Sequence, residues 1–205
     1  MKNATSYLDY SDDIQRHKNH LPHWQQEGTW QFVTWHLGDA VPVSKRQQMT
    51  FERKQWLLRN PKPWDPPTQK EYMERFEGRF QKWLDQGIGK CWLQKPACSG
   101  IVSEHFQKWS AEKIDVDCYV IMPNHVHALF RPFEGEVLEN IMKNLKGATA
   151  FYINKELGRK GTFWMEDYWD RMIRSEAHFL RVRKYIVNNP EKAKLSEGQF
   201  VLKKP

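Results

Sequence analysis

His125 and His127 stand two apart in the run Tyr119-Val-Ile-Met-Pro-Asn-His-Val-His127. On a strand, alternate side chains leave the same face, so this spacing sets two imidazoles side by side while Val126 points the other way. Two imidazoles on one face supply half of a metal site, although a buried pair can also be satisfied by hydrogen bonds alone. A second group lies in Arg183-Lys-Tyr-Ile-Val-Asn-Asn-Pro190. On a helix Tyr185 and Asn189 are four apart and share a face, presenting a phenol and an amide oxygen to one centre. Pro190 disfavours helical geometry at the residue before it, which makes Asn189 a C-terminal cap candidate and Asn188 its rival as a ligand. Tyr185 also reads as an aromatic anchor for the last helix. A phenol of pKa near ~10 is a poor nucleophile at neutral pH, so covalent chemistry there needs a site that favours phenolate or takes the proton during attack. A divalent cation on two imidazoles and one amide oxygen keeps positions open for phosphate and water, and such mixed ligation suits Mn²⁺, Mg²⁺ or a neighbouring first-row ion.

These groups need a scaffold, and the pattern along the chain supplies one. Thr29 to Leu37 is rich in β-branched and aromatic residues and stops at Gly38-Asp39, which predicts a first strand. Ser99 to Trp109 has helical spacing with Ser99 as its cap. Asp117 to Met122 and His125 to Arg131, joined by Pro123-Asn124, predict a hairpin. Glu136 to Leu157 is a long amphipathic helix ending at Gly158, and Arg159-Lys160-Gly161 makes a basic loop. Tyr168 to Arg174 is a short strand, Glu176 to Asn188 a helix stopped by Pro190, and Phe200 to Leu202 an edge strand. The order βαββαβα predicts an α+β sandwich with helices against one mainly antiparallel sheet, ferredoxin-like or RRM-like. Outside it stand an N-terminal arm, residues 1–25, polar and aperiodic, and a helical insertion, residues 44–97. The insertion carries helices from Ser44 to Asn60 and from Thr68 to Asp85, separated by a proline-rich segment. At 205 residues the chain reads as a single domain.

The charge points to the partner. With 32 Lys and Arg against 25 Asp and Glu the formal net charge is +7, which favours a polyanion. The candidates for DNA contact are Lys143, Lys146, Lys155, Arg159 and Lys160 on the long helix and its exit loop, and Arg171, Arg174, Arg181 and Lys184 beside the tyrosine. Trp164 is a candidate for base stacking or for the core. Three cysteines without a CxxC pair indicate a reducing, cytoplasmic setting, and no apolar run reaches the ~18 residues of a membrane span.

Taken together, the motifs resemble a known family. Residues 119–127 look like the HUH motif of single-tyrosine transposases. Phe163 to Arg174 and Tyr185-Ile-Val-Asn-Asn-Pro190 resemble the branch called REP-associated tyrosine transposases, related to IS200-like transposases; Gly28-Thr29 is similar to that branch's N-terminal Gly-Thr element. The resemblance covers residues 22–40 and 99–195 and leaves the insertion outside. It implies His125, His127 and Asn189 as metal ligands, Mg²⁺ as the physiological ion, and Tyr185 as a nucleophile that becomes joined to a 5′ phosphate. It also implies hairpin-bearing single-stranded DNA as the partner, in the form of repetitive extragenic palindromes, and a monomer, whereas related insertion-sequence enzymes are dimers. The alternatives are a catalytically silent nucleic-acid-binding protein with an RRM-like sheet, and a metal-dependent hydrolase that uses water in place of Tyr185.

Overall fold

A computed structural model describes residues 7–18 and 22–205. Their elements, in chain order, begin with β1 (Gln15–Lys18), β2 (Pro22–Gln25) and β3 (Gln31–His36). The insertion follows with α1 (Val43–Arg59), α2 (Pro66–Tyr72), a π-helical stretch over Met73–Gly78 and α3 (Arg79–Asp85). The rest is α4 (Pro96–Glu112), β4 (Ile114–Ile121), β5 (His125–Pro132), α5 (Leu138–Glu156), β6 (Trp169–Met172), α6 (Glu176–Lys192) and β7 (Val201–Lys203).

Five strands form an antiparallel sheet in the order β6-β3-β5-β4-β7. The first and third strands of the ferredoxin-like core, β3 and β5, lie at its centre, so the expected α+β architecture is the observed one. Alternation divides the sheet into two faces. Val33, Trp35, Val126, Ala128 and Phe130 pack with Val102 and Phe106 of α4 and Ile141 and Leu145 of α5. On the other face Cys118, Val120 and Leu129 meet Phe179, Val182 and Ile186 of α6. His125 and His127 share the α6 face, so the helix bearing Tyr185 covers the strand bearing the histidines.

Two local devices set the angle of α6. Ser175 caps it by accepting from the His178 amide. On β4 the register slips between Val116 and Cys118, and the Asp117 left over at this bulge takes a two-pronged ion pair from Arg183. That pair lies two residues before Tyr185 and fixes the helix against rotation.

Three expectations are corrected. The helix α6 continues to Lys192 through Pro190. Pro190 falls in the last turn, where its missing N–H costs one bond from the Ile186 carbonyl, while its ring and Ile186 are buried and Leu195 N–H donates to its carbonyl. Asn189 is therefore helical. Ser99 does not cap α4; the helix begins at Pro96, whose fixed φ suits a first turn, and Ser99 Oγ bonds back to the Lys95 carbonyl at 3.3 Å. The N-terminal residues are ordered where they are described: β1 and β2 pair antiparallel, and Leu8 N–H donates to the Ile173 carbonyl. Gln25 bridges Glu136 O and Leu138 N, and both nitrogens of His23 meet carboxylates, Asp170 at 2.5 Å and Asp167 at 2.9 Å. Polar anchors of this kind leave no apolar periodicity to read.

Candidate active site

His125 and His127 are both fully buried, and their Nε2 atoms face each other at 3.1 Å. The outward-facing nitrogens hold the rings in place. Asn124 Nδ2 donates to the Ile88 carbonyl at 3.0 Å, which orients the amide so that Oδ1 is 2.7 Å from His125 Nδ1. An amide oxygen only accepts, so His125 carries its proton on Nδ1 and aims a lone pair from Nε2. His127 Nδ1 lies 2.7 Å from Thr34 Oγ1, and a hydroxyl serves either tautomer of its partner. With no cation, His127 Nε2–H donates to His125; with one, a rotation of the Thr34 hydroxyl lets both Nε2 atoms present lone pairs. Burial lowers both pKa values, that of His127 to about 3, so both rings are neutral.

Tyr185 reaches this pair from α6. Its hydroxyl lies 3.4 Å from His127 Nε2 and donates to Gln81 Oε1 at 3.2 Å, while Phe32 packs edge-on against its ring. Burial, with the charge of Asp85 adding to it, pushes the phenol above its usual range. One turn on, Asn189 is 1% exposed; its amide makes no well-formed hydrogen bond among the described residues, but it lies near enough to the Tyr185 hydroxyl to favour the phenolate and offset part of the rise caused by burial. A buried amide so poorly satisfied costs up to about 1–3 kcal/mol, and a cation held by the two aimed imidazoles would give its oxygen a partner. The donor set fits: metal–imidazole bonds of about 2.0–2.1 Å at a right angle place two nitrogens about 3 Å apart. The rival ligand Asn188 is exposed.

The insertion closes the site. Besides Gln81, α3 brings Phe80 against His36 and Trp169, and Asp85 to Lys192 at 3.3 Å. His36 is buried on the histidine face directly opposite His125, with Nδ1 donating to the Leu37 carbonyl at 2.8 Å and burial lowering its pKa to about 4. Thr34, His36, Asp117, Gln81 and Asn124 were all missed as site residues from sequence. The strand alternation through β3 could have found Thr34 and His36; nothing local could have found Gln81.

The predicted DNA contacts divide. Arg174, Arg181 and Lys184 are exposed on or beside α6, whereas Arg171 is ion-paired with Glu77. Lys143, Lys155 and Lys160 are exposed on α5 and its exit, across the sheet from the histidines. Lys146 donates to the Glu166 and Asp167 carbonyls, and burial lowers its pKa to about 8. Arg159 Nη2 donates to the Thr162 carbonyl at 3.0 Å. Trp164 belongs to the core, with Nε1 on Thr149 Oγ1 at 2.9 Å and its ring edge-on to Trp35. Gly28 sits in a turn at φ 69°, and Thr29 is buried beyond the opposite end of β3, about 16 Å along the strand from Thr34.

A ferredoxin-like sheet thus presents paired, oriented imidazoles beneath a helical phenol and a poorly satisfied amide. The profile of the family described as Transposase IS200 like matches residues 92–189, ending on Asn189 and starting within the stretch read as insertion, so this segment is similar to that family. An uncharacterized protein of Haemophilus influenzae is 23% identical, over 38% of this chain and 55% of that protein, so the chain spans little more than half the length of this curated relative. A REP-associated tyrosine transposase solved with a REP hairpin is 14% identical, with TM-score 0.48, over 88% of this chain and 77% of that one. A candidate transposase from Deinococcus radiodurans is 17% identical, with TM-score 0.33, over 78% of this chain and 89% of that one. No helix among the described residues is long and apolar enough to cross a membrane.

Proposed function

We propose that the chain cuts and rejoins hairpin-bearing single-stranded DNA, with Tyr185 as the attacking group and His125, His127 and Asn189 holding Mg²⁺ or Mn²⁺. The observation that carries this reading is the meeting of the Tyr185 hydroxyl, the facing Nε2 atoms and the poorly satisfied Asn189 amide in one buried spot. A divalent cation on that donor set would polarise a phosphate oxygen and offset the charge that develops there. The chain's own residues do the rest. Thr34 and Asn124 fix the imidazoles, and the Arg183–Asp117 pair fixes the helix that delivers the phenol. In attack the Tyr185 oxygen bonds to phosphorus as it loses its proton, and the bond to the 3′ oxygen breaks to leave a 3′ hydroxyl. The phosphodiester energy is stored in a 5′-phosphotyrosine, so rejoining runs in reverse without ATP. The motif resemblance to the REP-associated branch directs the choice of substrate to palindromic hairpins. The free cysteines accord with action in the cytoplasm, and a monomer is the proposed working unit.

The test is to label such a strand at its 3′ end, cleave with Mn²⁺, and map the labelled peptide by mass spectrometry. The adduct is expected on Tyr185 and absent from Tyr185→Phe, while His125→Ala and His127→Ala bind DNA but do not cut it. An adduct on another tyrosine would overturn the mechanism. The enclosure of the site by α3 favours one second reading, a binding protein without catalysis. Binding of the hairpin with no nick under any divalent ion would select it.

A further inference from the structure

A cleft of about 650 Å³ lies between the N-terminal segment, the insertion, β6 and the start of α6, outside the histidine and tyrosine site. Aromatic rings form much of its wall. Trp64 and Tyr72 of the insertion pack together at 4.7 Å, with Trp56 behind both, and Trp169 closes the inner end. Tyr10 and Trp24 stand at the rim, 72% and 41% exposed.

The charge of the cleft is one-sided. Its two carboxylates are engaged, Glu77 with Arg171 and Asp170 with His23. Arg53, Lys62, Arg174 and Arg181 also line it, and none of these four has a carboxylate partner among the described residues. Arg53 and Lys62 lie over the rings of Tyr72 and Trp64 instead, at 5.7 and 4.8 Å. Rings with flat faces interleaved with unneutralised cations match the chemistry of unpaired nucleotides, whose bases stack while their phosphates take the charge. Duplex DNA, with its bases already stacked, has no face to offer the rings. His178 and Arg181 of its wall lie on the same side of α6 as Tyr185, three and four residues apart in turn.

We infer that this cleft, built by the insertion and the N-terminal segment against β6 and α6, binds the unpaired DNA flank of the hairpin substrate. The assignment rests on the function proposed above and deepens it by giving the insertion a task in substrate recognition.

Fluorescence anisotropy with the full chain tests it, using one hairpin without a flank and the same hairpin with a short single-stranded flank on its 5′ or its 3′ side. Wild type is expected to prefer a flanked hairpin by tenfold or more. Tyr10→Ala and Lys62→Ala both concern exposed side chains of the cleft outside the candidate DNA contacts; each is expected to reduce that preference several-fold and leave affinity for the blunt hairpin unchanged. Lys62→Ala should also reduce the salt slope for the flanked strand by about one. Equal weakening for flanked and blunt hairpins, or no weakening in either variant, would overturn the assignment. Adduct formation with Mn²⁺ is scored separately: a wild type that prefers the flank but forms no adduct overturns the catalytic reading and leaves the cleft in place.

Discussion

Replacing Asn124 by leucine keeps the size of the side chain and removes both of its hydrogen bonds, to His125 Nδ1 at 2.7 Å and to the Ile88 carbonyl at 3.0 Å. His125 is completely buried, so its Nδ1–H is left with no acceptor, at a cost of about 1–3 kcal/mol. Ile88 is only half-buried, so water can take its carbonyl and the second loss adds less than about 1 kcal/mol. A total of about 1–4 kcal/mol corresponds to a fall of roughly 3–12 °C in the unfolding midpoint for a chain of this size. The same substitution frees the tautomer and orientation of His125, and losing such support typically weakens metal binding by about 10–100-fold. Asn124→Asp separates the two effects, because a carboxylate still accepts from Nδ1–H but cannot donate to Ile88. The leucine variant is therefore expected to lose both stability and Mn²⁺ affinity, and the aspartate variant to hold its Mn²⁺ affinity within a few fold. Calorimetric titration with Mn²⁺ and thermal unfolding of the same samples read both quantities. Equal Mn²⁺ affinity in wild type and Asn124→Leu would refute the argument that this amide sets the imidazole, as would an aspartate variant as impaired as the leucine one.

Two further outcomes follow from burial. Burial opposes the charged form of His23, but Asp167 and Asp170 outweigh it and hold the pKa up to about 9, so the contribution to stability is complete below pH 6.5 and is lost as pH rises through 9. Between pH 7 and 8 the unfolding free energy of wild type relative to His23→Asn, read by denaturant unfolding, should fall by about 1.4 kcal/mol per pH unit, since the histidines of lowered pKa and Lys146 cancel in that difference; a difference independent of pH would show that the clamp contributes nothing. Trp164→Ala empties a core position and should cost about 3–5 kcal/mol in chemical denaturation, while Trp164→Phe keeps hairpin affinity; a stable protein with weakened DNA binding would return Trp164 to the stacking role.

The sheet was readable because strand alternation and helical period survive any tertiary context: β3, the β4–β5 hairpin, α5 and α6 lie within a few residues of their expected bounds. The histidine pair was readable for the same reason, since a spacing of two on a strand fixes a common face. Pro190 misled because a proline near the end of a helix forfeits a single bond, and packing of its ring outweighs that loss. The N-terminal hairpin was invisible because its anchors are His23, Gln25 and Gln26, polar residues whose partners are more than a hundred positions away or sit in the arm itself. Glu77, Gln81 and Asp85 read as an ordinary solvated helix face, and only their meeting with Arg171, Tyr185 and Lys192 gives them meaning.

The bond from Asn124 to the Ile88 carbonyl makes the insertion something other than a detachable module. Leu93 N–H donates to the Pro123 carbonyl, so both residues of the β4–β5 turn are tied to the end of the insertion. Trimming residues 44–97 to isolate a minimal catalytic unit would cut those ties and leave the imidazoles without a fixed proton arrangement. The boundary drawn from composition is thus not a boundary of parts. In assembling a chimera, the last ten residues of the insertion travel with the histidine hairpin, and the two must be exchanged as one piece.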